Sequence, residues 1–487
     1  MFPFESLFNL DKNSRKPLYQ QIAFSLSQAI QNGILKPGST LPSSRELSKT
    51  LQLHRKTIVA AYEELHSQDW IAIVPRKKTI VSERIPLLPP KSWQAEKSLL
   101  PYENAMNADF KNAATPQLRP AITRAEIIID DGRPDIRISP IDLLLKTYRS
   151  LLLQRYARKN IEQNMAQGTL VLRLELVNYL AVSRGLNLTI DNLLITHGAQ
   201  MSIYLSSQLL LDSQSTIVVG TPNYPMANTV FRQSGAQLIE LTVDQWGIDT
   251  DQLEVLCQTQ RITAVYVIPH HHYPTTVTLS TERRMHLLNL SKRYTFVIIE
   301  DDYDYDFHYS SSPYLPLASA QHLGNIIYIG SFSKILDPSL RIGFMIAPKN
   351  FITQAVAFRK MIDIGGDGYM QDALAVLIAD SELKRHVKKA KKTYQLRREY
   401  LTHLLNTELY PYISFDNPSG GMAMWIILHR EISVHSLQKK ASEFHLQINE
   451  INKTHNAFRF GFASLNEREL DTTVAILKKC CLQLNTK

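Results

Sequence analysis

Apolar residues recur at every fourth position in Leu18, Ile22, Leu26 and Ile30, a spacing that lines them along one face of a helix, and Asn32-Gly33 closes it. Ser43 opens a second helix. With Glu46 three positions on it forms a capping box, in which each side chain satisfies the other residue's free amide, while Leu47 and Leu51 continue the apolar face. After a turn at Leu53-His54 a third helix runs from about Arg55, with Ile58, Ala61, Tyr62 and Leu65 facing inward. Two β-branched runs follow, Ile71 to Val74 and Thr79 to Val81, and pair as a winged hairpin. Short helices joined by a four-residue turn predict a helix-turn-helix, whose last helix offers Arg55, Lys56 and Thr57 to a DNA major groove.

Prolines at 86, 89, 90, 101, 116 and 120 interrupt any periodicity from Ile85 to Arg124, which predicts an extended linker. The expected division is residues 1–84, a linker at 85–123, and a large second domain at 124–487. That domain alternates buried strands with helices: Leu193 to Thr196, Thr216 to Val219, Ala264 to Ile268, Phe296 onward, Asn325 to Ile329 and Ile342 to Ala347 are apolar runs ending in polar residues. The pattern predicts an α/β domain with an open parallel sheet, whose ligands bind beyond the carboxyl ends of the strands.

Two strand ends carry chemistry. After Asn325 to Ile329 come Ser331, Ser333, Lys334 and Arg341, an amine able to condense with an aldehyde beside hydroxyls and a guanidinium able to hold a phosphate. Pyridoxal phosphate bears both groups. The other strand ends in Glu300, Asp301, Asp302 and Tyr303, an acidic cluster expected to face the same crevice; a carboxylate there suits a pyridine nitrogen and a tyrosine suits a ring hydroxyl. Metal is the rival reading, because Pro269 to Pro274 supplies His270, His271 and His272. Adjacent side chains at a strand end point in alternating directions, so three consecutive imidazoles are poorly placed for one ion.

Composition bounds the rest. A chain of 487 residues with 44% apolar content needs more than one core. Three cysteines without a C-x-x-C spacing are expected to be free thiols. There is no apolar run of membrane-spanning length and no basic-then-apolar leader, so a cytoplasmic location is expected. The formal charge of +9 points to a polyanionic partner, and Lys36 to Arg84 holds nine basic residues against five acidic ones. Ser43, Arg45, Arg55, Lys56, Thr57 and, on the wing, Lys77 are the expected DNA contacts.

Together these residues resemble the MocR/GabR family of transcriptional regulators, in which a GntR-type winged helix-turn-helix is fused to an aminotransferase domain of fold type I. LPSSRELSKTL with HRKTIVAAYEEL is similar to the first part, and EDDYD, GSFSK and the arginine before IGF are similar to the pyridoxal site of the second. The resemblance implies Lys334 as the Schiff-base lysine, Asp301 on the pyridine nitrogen and Tyr303 on the ring hydroxyl. It further implies Gly198, Ala199 and Gln200 at the phosphate, Tyr224 stacked on the ring, and Arg459 on an effector carboxylate. A homodimer that binds operator DNA, pyridoxal 5'-phosphate and an amino-compound effector follows from the same resemblance. A working aminotransferase with an accessory DNA-binding domain remains the alternative. The chain departs from the family at Gln52 and Thr276, where glycine is usual, at a wing tip reading PRKK, and at residues 163–167, where the family carries a phosphate-site tyrosine.

Overall fold

The computed structural model describes residues 4–14, 16–73, 78–86, 108–109, 125–153, 166–309, 314–449 and 451–485. Most of the expected linker, the wing tip with Lys77, and residues 163–165 lie outside these. The chain divides into two compact units, Met1–Asn112 and Ala113–Lys487, and the division falls within the expected linker.

The first unit contains helices α1 (Leu18–Gln31), α2 (Ser44–Thr50) and α3 (Arg55–Ser67), then strands β1 (Ile71–Ile73) and β2 (Thr79–Val81), which pair antiparallel. Its core is the predicted stripe: Ile22, Leu26, Ile30, Leu47, Ile58, Ala61, Tyr62 and Leu65 are all buried. The capping box closes as expected, the Ser43 amide donating to Glu46 Oε2 at 2.8 Å and the Glu46 amide to Ser43 Oγ at 3.3 Å. At the turn, Gln52 adopts φ +51°, the left-handed conformation that favours glycine. The turn forms without a glycine there.

In the second unit, β3 (Ile127–Ile129) precedes an eight-stranded sheet of β4 (Leu193–Thr196), β5 (Thr216–Thr221), β6 (Gln237–Asp244), β7 (Gly247–Ile248), β8 (Ala264–Val267), β9 (Val297–Asp302), β10 (Ile326–Ser331) and β11 (Gly343–Ile346). Their order is β4-β11-β10-β9-β8-β5-β6-β7. The pairs from β10 through β9, β8 and β5 to β6 are parallel, as expected. The expectation of a wholly parallel sheet needs correcting, because β11 runs antiparallel to both β10 and β4, and β7 runs antiparallel to β6. Only the short loop carrying Lys334 joins β10 to β11, and a parallel return would need a longer crossover.

Strands β12 (Ile413–Phe415), β13 (Ala423–Leu428), β15 (Ile451–Asn452) and β16 (Ala457–Gly461) form a separate antiparallel sheet, while β14 (Leu446–Ile448) pairs in parallel with β3. A long helix rich in lysine and arginine, Glu382–Leu404, is seated by Leu383, His386, Ala390, Tyr394 and Leu401. Among the described residues no helix is long and apolar enough to cross a membrane.

Candidate functional site

The carboxyl ends of β9 and β10 open into a cavity of about 390 Å³. Nine of the expected residues line it: Ala199, Gln200, Tyr224, Asp301, Tyr303, Ser331, Ser333, Lys334 and Arg341. Gly198 lies just beneath, so close that a Cβ there would stand 2.8 Å from the Arg341 guanidinium. The helix Gly198–Leu210 starts at Gly198 itself, so the unpaired amides of its first turn belong to Gly198, Ala199 and Gln200.

The acidic cluster splits between two environments. Along a strand successive side chains alternate, so Asp301 lines the cavity and Glu300 and Asp302 point to the other face of β9. Asp302 accepts from Tyr328 Oη at 2.8 Å and meets His270 Nδ1 at 3.1 Å; Glu300 accepts the Leu317 and Ala318 amides. Burial, with the charge of Asp302, pushes the Glu300 carboxyl up to about 8. His270, Glu300 and Asp302 bring ligand atoms within 4.8 Å of one another, the one such group of metal-ligand type among the described residues. Its atoms are already engaged, since His270 Nε2 meets Tyr314 O at 2.7 Å as well. The triplet of histidines diverges: His271 meets Asp304 and His272 meets Thr275.

Inside the cavity, Asp301 accepts from Tyr266 Oη at 2.6 Å through Oδ2, while its buried Oδ1 has no protein partner. Burial pushes this carboxyl up to about 7. The Tyr303 hydroxyl donates to His271 O at 2.9 Å and accepts from Arg459 Nη2 at 2.9 Å, and burial holds its proton well above the usual phenol range. Arg341, at φ +52°, donates to His197 O at 2.9 Å, and the Ser333 amide donates to Ser331 Oγ at 3.1 Å. Tyr224 meets Tyr273 edge to face, centroids 5.5 Å apart.

Arg459 is buried on β16 and is not among the residues lining the cavity. The anionic partner expected for it is replaced by neutral oxygens: it donates to Asp131 O, Pro274 O and the Tyr303 hydroxyl at 2.8 to 3.0 Å. Thr276 adopts φ +63°, the left-handed conformation that favours glycine.

Sequence reasoning missed Asp131 and Arg133, which line the cavity from the segment after β3. Lys334 Nζ donates to Gly132 O at 2.7 Å and stands 3.9 Å from Asp131 Oδ2, and its charge holds the Asp131 carboxyl below the usual range. These residues sit some two hundred positions from the lysine, so no local spacing could join them. On the first unit, Ser43, Arg45, Arg55 and Lys56 are exposed and Thr57 is half-buried. Arg55 Nε donates to Ser44 Oγ at 3.3 Å, and His54 caps α3 through its Nδ1, a cap that the sequence did not announce. Lys77 lies outside the described residues.

Fold and site together define a lysine-centred pocket of aminotransferase type, on a chain that also carries a winged helix-turn-helix. The chain belongs to the aminotransferase class I and II family, which it matches over residues 159–477, and residues 18–81 match the gntR family of bacterial regulatory proteins. An uncharacterized HTH-type transcriptional regulator, YdfD of Bacillus subtilis (strain 168), is 28% identical over 446 residues, covering 90% of each chain. The HTH-type transcriptional regulator TauR of Rhodobacter capsulatus is 28% identical over 439 residues, covering 87% of this chain and 86% of its own. Among solved structures, kynurenine aminotransferase of Pyrococcus horikoshii shares the fold with a TM-score of 0.68 at 24% identity, covering 74% of this chain and 91% of its own.

The residues fit pyridoxal phosphate. An amine reaches the cavity, a buried carboxylate oxygen there lacks a donor, and free helix-start amides lie beside two serines and an arginine.

Proposed function

We propose that this chain is a transcriptional regulator of the MocR/GabR type, a DNA-binding protein whose second unit binds pyridoxal 5'-phosphate and senses an amino compound. The observation that carries the reading is the span of the similarity: a relative named as a regulator matches through both units, over 90% of each chain. When bound, pyridoxal phosphate supplies an aldehyde that condenses with amines and a ring that withdraws electrons. Lys334 would hold its aldehyde, Asp301 its ring nitrogen, Tyr303 its ring hydroxyl and Tyr224 its ring face. The first-turn amides at Gly198 to Gln200, with Ser331, Ser333 and Arg341, would hold its phosphate.

Arg459 serves a ligand carboxylate in this reading only after giving up part of its present neutral set. Arg55, Lys56 and Thr57 face the major groove from α3, Ser43 and Arg45 contact phosphate at α2, and Lys77 contacts phosphate from the wing. The domains are taken as 1–84 and 124–487, joined by 85–123, and the location as cytoplasmic.

A homodimer is supported by apolar side chains left exposed on helices that pack around Gly368–Ala379. They include Leu145 and Leu152 on Ile141–Leu152, and Leu170, Val171 and Leu174 on Leu170–Arg184.

The cavity, lined by nine of the expected residues, also favours the second reading, a working aminotransferase. The two are separated by supplying amino donors and keto acceptors to the cofactor-loaded protein. Fewer than one product per protein is expected; sustained multiple turnover would favour the enzyme.

A further inference from the structure

The helix Glu382–Leu404 carries its cations in two groups. Its arginines are committed within the fold: Arg385 pairs with Glu382, Arg397 pairs with Asp135 at 2.9 Å, and Arg398 donates to Pro418 O at 2.7 Å. Its lysines are not. Lys384, Lys388, Lys389 and Lys392 are exposed, Lys391 is half-buried, and among the described residues no acidic side chain pairs with any of the five. Leu383, His386, Ala390, Tyr394 and Leu401 seat the helix in the core, and the exposed lysines fall on the face turned away from them. Lys384, Lys388 and Lys392, each four residues from the last, form a row about 12 Å long at 1.5 Å per residue, with Lys389 and Lys391 to either side.

Like charges three and four residues apart repel along a helix, and a cation in the first turn, where Lys384 lies, also opposes the helix dipole. The helix Glu467–Asn485 shows the ordinary arrangement: Glu467 and Glu469 lie in its first turn, and Lys478 pairs with Glu408 at 2.6 Å. An anionic partner from outside the chain relieves the repulsion that the row of unpaired lysines carries. Two polyanions present phosphates at a surface, an anionic membrane and a nucleic acid. A helix that lies in a membrane surface inserts its apolar face, and the apolar face here is buried in the core. Nucleic acid is the partner that the winged helix-turn-helix of the first unit already brings to the chain.

We infer that Lys384, Lys388, Lys389, Lys391 and Lys392 form a second DNA-contacting surface, carried by the second unit, which holds the phosphate backbone and reads no bases. Lysine suits that task. Its ammonium is a point charge on a flexible stem and follows phosphates without a fixed geometry, whereas base reading favours the planar fork of arginine or an amide. The inference rests on DNA binding by the first unit and adds to it a source of affinity that is the same for every sequence.

The test uses the full chain with a duplex selected for tight binding and a shuffled duplex of the same length and composition, and reads the slope of log affinity against log salt. Each phosphate neutralised adds about 0.9 to that slope. Replacing the four exposed lysines together (Lys384→Gln, Lys388→Gln, Lys389→Gln and Lys392→Gln) should lower the slope by about two to four and weaken both duplexes by the same factor. Lys388→Gln alone should lower it by about 0.9. Glutamine forms helix about as well as lysine, and circular dichroism checks that the fold is kept. A charge-matched control removes four exposed lysines elsewhere on the unit (Lys360→Gln, Lys439→Gln, Lys453→Gln and Lys479→Gln) and should keep the wild-type slope.

A wild-type slope in the quadruple variant, an equal fall in the charge-matched control, or a loss confined to the selected duplex would overturn the inference. A wild-type slope together with lost retention on phosphatidylglycerol vesicles would assign the lysines to a membrane surface instead. Failure of the wild type to bind either duplex defeats the proposed function, and this surface with it. Wild-type binding with an unaltered slope in the quadruple variant defeats the surface alone.

Discussion

In the proposed reading Lys334 and Asp301, which both line the cavity, bear its chemistry, and each makes a separate prediction. If Lys334 carries the cofactor, borohydride treatment of the loaded protein should fix pyridoxal phosphate to the peptide containing it. Lys334→Ala should leave no fixed label, and mass spectrometry decides the matter. Asp301 predicts a pH dependence. Its carboxyl rises on folding from an ordinary 3.8 to about 7, so its contribution favours the cofactor-free fold fully below about pH 4 and is lost as pH rises through about 7. Glu300, at about 8, adds a slope of the same sign that ends slightly higher. Asp301→Asn should flatten the fall in melting temperature between pH 4 and 7 without removing the part due to Glu300; an unchanged profile would show that Asp301 is not the group responsible. Both residues could be read from the sequence, because an amine and a carboxylate after short apolar runs place themselves at strand ends. Which acidic residue faced the cavity could not be read from composition; the two-residue alternation of β9 decides it, and the cluster expected in the crevice contributes only Asp301. Asp131 was invisible for a different reason: its link to Lys334 is made by tertiary packing alone.

At the scale of elements, periodicity was the dependable signal. The four-residue spacing of α1, the capping box of α2 and the inward face of α3 all reappear, since each is fixed by contacts within a few residues. Ser43→Ala should cost the first unit about 1 kcal/mol by freeing the Glu46 amide, as measured by denaturant unfolding. Gln52 tests a departure from the family. A non-glycine residue at φ +51° carries a strain of about 1 kcal/mol, so Gln52→Gly should stabilise this unit by up to about that amount, and Gln52→Val should destabilise it. No gain from glycine would mean that the Gln52 side chain contributes something that offsets its backbone. On α3, removing Arg55 or Lys56 should weaken DNA binding by about 1–3 kcal/mol if each meets a base edge, whereas loss of a phosphate contact lowers affinity evenly across sequences. The antiparallel course of β11 was not legible, because apolar runs of equal length carry no mark of direction; the short loop between β10 and β11 sets it.

At the scale of the whole molecule, the similarity to a regulator through both units makes linkage the central issue. A chain that merely carried two activities would bind DNA the same with or without a ligand in its second unit. A regulator requires that each binding event change the affinity of the other, and by the same factor. The direct measurement selects tight-binding duplexes from a random-sequence pool, then titrates the best of them with wild type and with Lys334→Ala, each with and without pyridoxal phosphate. The account predicts that the cofactor shifts the DNA affinity of the wild type by about fivefold or more, the range of ordinary allosteric coupling, and leaves that of Lys334→Ala unchanged. Equal DNA affinity in the presence and absence of cofactor, in a wild-type protein shown to carry it on Lys334, would contradict the account.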